Sequence, residues 1–159
     1  MNIYEFAMQK EKEGETFYRN LAAKVSNLGL KNILNMLAED EVKHYDIFAK
    51  LSMAQNADLD DTEVLKRTRN IFRQMSESFI DPDIGEVEIY REAQRMEEKS
   101  ERFYLEKSNQ EKDPERKNLL RQIASEERKH YFLLENIINF VLRPKTWLEN
   151  AEFNHLEEY

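Results

Sequence analysis

Glu41-Val42-Lys43-His44 and Glu127-Arg128-Lys129-His130 are one Glu-x-x-His tetrapeptide written twice, 86 residues apart. The chain has three histidines, and this pattern takes two of them. Positions i and i+3 share a face of an α-helix, so each copy aims a carboxylate and an imidazole at one point. The tetrapeptides belong to a longer repeat. Residues 11–48 slide onto 97–134 without a gap, giving 12 identities in 38 positions, among them Glu11/Glu97, Glu15/Glu101, Phe17/Phe103, Tyr18/Tyr104 and Tyr45/Tyr131. Each copy reads as a helical hairpin. Two of them predict an all-α protein, an antiparallel four-helix bundle with approximate two-fold symmetry.

Local signals mark the helix starts. Asn2 with Glu5, Asp60 with Glu63, Asp83 with Glu86 and Thr146 with Glu149 each pair a cap residue with a carboxylate three positions on. Asp113-Pro114 fits an N-cap followed by proline at the first helical position. Long helices are expected near 2–26, 28–54, 85–111 and 114–142, with shorter ones near 61–79 and 146–156. The bundle then occupies 1–142, as hairpins 2–54 and 85–142 joined by a crossover over 55–84, and a tail with a short helix fills 143–159. Leu65, Thr68, Phe72, Met75 and Phe79 form the stripe by which the crossover helix packs.

The composition bounds the chemistry. The chain is 40% apolar and 35% charged, with three glycines, three prolines and no cysteine. So few breakers among so many Glu, Lys, Leu and Arg favour helices, and the absence of thiols excludes disulfides, iron–sulfur clusters and thiolate zinc sites within these residues. A net charge of −8 argues against nucleic acid as a partner. No signal peptide is visible at the N-terminus, and Tyr131–Leu142 is too short and too polar to span a bilayer. No membrane partner is expected, and the cytoplasm is the expected compartment.

The chemistry-bearing residues fall on the core-facing stripes. In the second long helix Leu30, Ile33, Leu34, Leu37, Phe48 and Leu51 repeat at the spacing of a buried face, and Glu41 and His44 lie within it. Leu119, Leu120, Ile123, Leu134, Ile137 and Val141 flank Glu127 and His130 in the same way. Glu11 has Ala7, Gly14 and Tyr18 on its face, and Glu97 has Ala93, Ser100 and Tyr104. The small residues at 14 and 100 leave room beside each carboxylate. Glu11 and Glu41 are 15 residues either side of Ser26, and Glu97 and Glu127 are equally placed about Lys112. At about 1.5 Å per residue on each arm, the six groups come level at mid-bundle.

Burying ionised carboxylates costs several kcal/mol each unless they are compensated. One reading is that these glutamates are protonated or paired with lysine, but no lysine or arginine interrupts the stripes around Glu41 and Glu127. The alternative is two divalent cations, which balance four carboxylates and leave the imidazoles as neutral ligands. Glu11, Glu41, His44, Glu97, Glu127 and His130 are therefore the candidate ligands. Mixed oxygen and nitrogen donors suit iron, with manganese or zinc as substitutes.

This arrangement, a glutamate from each of two helices and Glu-x-x-His from each of two others, resembles the ferritin-like di-iron proteins. The stretches Glu11-Lys12-Glu13-Gly14-Glu15-Thr16-Phe17-Tyr18 and Ala38-Glu39-Asp40-Glu41-Val42-Lys43-His44 resemble the rubrerythrin branch of that superfamily. The resemblance covers both hairpins and not the tail. It implies terminal ligands at Glu11 and Glu97, bridging ligands at Glu41 and Glu127, and one metal for each of His44 and His130. It also implies two iron ions that cycle between ferrous and ferric and reduce hydrogen peroxide to water. Tyr18 and Tyr104 would then hydrogen-bond the ligands or the oxidant, the alternative being core packing with satisfied hydroxyls. The family's habit implies a homodimer.

The chain departs from the family in two places. It lacks the cysteines of a rubredoxin-like domain, so the resemblance implies a separate electron-donor protein. Ser100 stands where rubrerythrins tend to carry a further glutamate, which makes the site more symmetric. Two other functions therefore stay open: ferroxidase and iron handling with oxygen as oxidant, and a bundle in which metal serves stability alone. Glu15 and Glu101, matched across the repeat, are rival ligands read as outer or surface groups, and His155 reads as a surface residue. Trp147, Leu148, Ala151 and Leu156 could dock the last helix on the bundle or on a second subunit.

Overall fold

Capping chemistry starts the first helix where the spacing predicts. In the computed structural model, which describes residues 2–75 and 84–143, Asn2 Oδ1 accepts the Glu5 N–H at 2.9 Å. Five helices follow in order: α1 (Ile3–Lys24), α2 (Leu28–Ser52), α3 (Val64–Met75), α4 (Ile84–Gln110) and α5 (Pro114–Leu142). There is no strand among the described residues, so the all-α class holds. The helix near 146–156, Trp147, Leu148, Ala151, His155 and Leu156, and the caps at Asp83 and Thr146 lie outside the described residues.

Two boundaries move for a physical reason. α1 ends at Lys24, not near 26, because Asn27 caps α2 by accepting the Leu30 N–H at 3.0 Å. The cap residue itself must be extended, and Asn27 has φ −70° and ψ 121°, two residues after Val25 leaves α1 at φ −79° and ψ 142°. α3 begins three residues after the Asp60 cap predicts. Thr62 takes that role, its hydroxyl accepting the Val64 N–H at 3.2 Å and donating to Asp40 at 2.6 Å. α5 starts on Asp113 with proline in its first turn, as read from the sequence.

The chain divides into two compact units, Met1–Val64 and Leu65–Tyr159. In the first, α1 packs on α2 through Tyr4, Ala7, Tyr18 and Leu21 against Leu30, Leu34, Leu37 and Phe48, all buried. Each such leucine contributes roughly 1.5–3 kcal/mol. In the second, α4 packs on α5, whose Leu120, Ile123, Leu134, Ile137 and Val141 are buried. Of the crossover stripe, Leu65, Thr68, Phe72 and Met75 are buried while Phe79 lies outside the described residues, and Phe72 meets Phe140 of α5 with ring centroids 5.7 Å apart. Arg143 fastens that end, its guanidinium donating to Phe140 O at 2.8 Å and Met75 O at 3.3 Å. Among the described residues no helix is long and apolar enough to cross a membrane.

Candidate metal centre

In the first hairpin, the i, i+3 spacing of Glu41 and His44 on α2 puts both side chains on the face that meets α1. Glu11 of α1 arrives at the same level, with its Oε2 3.6 Å from His44 Nδ1. Glu11, Glu41 and His44 each offer one ligand atom, and these atoms lie within 4.8 Å of one another. The three residues are 1%, 3% and 0% exposed. Glu41 fits because residue 14 is glycine: a Cβ there would meet Glu41 Oε2 at 2.8 Å. The room at position 14 thus serves the neighbouring helix's carboxylate, not that of Glu11 on its own helix.

The second hairpin repeats the arrangement. Glu97 of α4 and Glu127 and His130 of α5 bring one ligand atom each within 4.8 Å of one another. His130 Nδ1 lies 3.3 Å from Glu97 Oε1 and 3.8 Å from Glu127 Oε1. All three residues are buried. Ser100, at the place of Gly14 in the repeat, is 7% exposed.

Each hairpin therefore gathers two carboxylates and one imidazole away from water. Two carboxylates in an apolar interior repel, and an ionised group there is costly without a counter-charge. One divalent cation per triad would neutralise it, with the imidazole as a neutral ligand. In both triads the nitrogen turned to the carboxylates is Nδ1, the atom available to a metal. Hard oxygen donors with one nitrogen fit ferrous or manganous ions, and zinc as well.

The remaining candidates sort by their partners. Tyr18 and Tyr104 are fully buried, seven residues past Glu11 and Glu97, each edge-on to its preceding phenylalanine at 5.7 and 5.4 Å. Glu15 is bonded to Lys12 at 3.0 Å and faces Arg19 at 3.6 Å, while Glu101 faces Arg128 at 3.8 Å. These two side chains are 20% and 19% exposed, so they sit at the rim as outer groups. Burial raises the Glu101 carboxyl above its ordinary value, with Glu98 adding to the rise and Arg128 and Arg102 opposing it. A shallow groove of about 770 Å³ on the outer face of α1, lined by Met8, Phe17 and Tyr45 among others, contains none of the six candidate ligands.

Two residues escaped the sequence reading. Asp40 and Glu126 immediately precede Glu41 and Glu127 and are 5% and 3% exposed. They match across the repeat as acid to acid, a signal that counting identities passes over. Tyr4 and Tyr90 also match at the same offset, seven residues before Glu11 and Glu97, and both are buried.

A family model described as Rubrerythrin matches residues 2–138 of the chain. No curated protein and no solved structure matches it.

Proposed function

The chain belongs to the rubrerythrin family, and from that premise we propose that it is a non-haem di-iron oxidoreductase that reduces hydrogen peroxide to water. The observation that supports this most is the pair of buried Glu2His triads, one in each hairpin. Glu11, Glu41 and His44 would hold one iron, and Glu97, Glu127 and His130 the other. When bound, the two ferrous ions supply the two electrons that divide the peroxide oxygen–oxygen bond.

The chain's own residues do the rest. His44 and His130 present Nδ1, and the carboxylates carry the charge that favours the ferric state after reaction. The closed apolar walls around both triads keep bulk water from competing with the small oxidant. Tyr18 and Tyr104, two turns beyond the terminal glutamates, orient ligands or oxidant through their hydroxyls. The 159 residues include no cysteine, so they carry no thiolate-bound iron of their own, and the electrons that reset the site come from outside these residues.

Ser100 favours a second reading, ferroxidase and iron handling with oxygen as oxidant, because it leaves the two triads with the same ligand set. An anaerobic ferrous titration of metal-free protein, followed by peroxide and by oxygen in separate samples, decides between them. Two irons per chain and much faster oxidation by peroxide are expected. Preference for oxygen with continued iron uptake selects iron handling, and no stoichiometric binding sinks both.

A further inference from the structure

Tyr90 is fully buried on α4, seven residues before Glu97 and on the same face. Two helical turns separate them, about 10 Å along the axis. Its hydroxyl donates to the Glu86 carboxylate at 2.5 Å, one turn nearer the start of the helix. Glu86 is half-buried and in the first turn of α4, so it also reaches water. Tyr4, at the same place in the first hairpin, stacks on Phe48 with centroids 6.4 Å apart.

A phenol that loses an electron becomes a strong acid, and a buried site does not support the resulting cation. Oxidation inside a protein therefore needs a base already hydrogen-bonded to the hydroxyl. Glu86 is such a base, and its contact with water lets the proton leave or return.

We propose that Tyr90 and Glu86 form a proton-coupled redox pair that supplies one electron to the metal site when it is an electron short. This rests on the proposed function. Reduction of one hydrogen peroxide to two waters takes two electrons and two protons. Both protons come from water, and a single bound ferrous ion would supply only one of the electrons. Tyr90 gives the other, becoming a neutral tyrosyl radical, and its phenolic proton passes to Glu86. An external one-electron donor then restores the phenol as the proton returns. The pair protects the ligands from a half-completed reduction.

The test has two arms on the full chain. In the first, metal-free protein is oxidised by light-generated tris(bipyridine)ruthenium(III), and the tyrosyl radical is followed by electron paramagnetic resonance. The radical signal should fall several-fold in Tyr90→Phe and in Glu86→Gln, which keeps the shape but removes the base, and should be unchanged in Tyr4→Phe. Equal signals in the parent and Tyr90→Phe overturn the proposal. In the second, protein given one ferrous ion per chain is mixed with peroxide without oxygen. A radical lost in Tyr90→Phe is expected, and the same yield in that variant overturns the link to the metal. If the protein binds no iron, the proposed function falls, and the first arm still decides whether Tyr90 and Glu86 are a redox pair.

Discussion

At position 14 a hydrogen stands where any other residue would carry a carbon, and the Glu41 carboxylate occupies the space beside it. Gly14→Ala should divide stability from function. The mid-helix alanine stabilises the metal-free fold by roughly 0.5–1 kcal/mol, because glycine loses more backbone freedom on folding. The added methyl moves only the end of a flexible side chain, but that end is a candidate ligand. Metal affinity should drop about 10- to 100-fold, the range seen when the support of a ligand is removed. Thermal unfolding of the metal-free variant and a cobalt titration check the two signs separately. Tyr90 carries a second prediction. Burial first, then the hydrogen bond and charge of Glu86, hold its phenol far above the ordinary value of 10.0. Above that pH the unfolded chain releases a proton that the folded chain keeps. Stability then falls as pH rises, by about 1.4 kcal/mol per unit for this one group, and Tyr90→Phe should remove that share. Denaturant titrations on either side of pH 10 measure it.

At the scale of elements, caps decide where helices begin, and side chains choose among nearby candidates. Asn2 and Asp113 were legible because no rival sits beside them. Asp60 lost to Thr62 because Asp40 of α2 takes the Thr62 hydroxyl at 2.6 Å and holds the loop there, a tertiary contact that spacing does not carry. Asn27 was passed over because Ser26 and Asn27 both look like turn residues, and only the bond to the Leu30 N–H separates them. Asn27→Ala should cost about 1 kcal/mol, read as a lower denaturant midpoint without a change in slope. Arg143 links two helix ends through the carbonyls of Phe140 and Met75. Arg143→Ala should speed amide exchange in α3 while leaving the middle of α4 protected, and uniform acceleration would show that α3 is not separately fastened.

For the whole molecule, bound metal should be a main term in stability. A ligand that binds only the folded state adds about 2.7 kcal/mol at a hundredfold excess over its Kd, so chelation should lower Tm by several degrees. Calorimetry with and without a chelator checks this, and an unchanged Tm would mean that the triads are stable without a cation. Much of the architecture was readable in advance, because the repeat, the apolar stripes and the Glu-x-x-His spacing all express one helical period. All six candidate ligands came from that period, and the structure buries every one. What spacing did not convey was how helices approach: that Gly14 makes room for Glu41 across the hairpin, or that Asp40 and Glu126 are shielded beside the triads. The Gly14 slot also bears on protein engineering. Replacing a helical glycine by alanine is among the first substitutions that any thermostability screen retains. Selection of this protein for heat resistance in a metal-free medium would therefore enrich a hardier chain whose candidate metal site has weakened unnoticed.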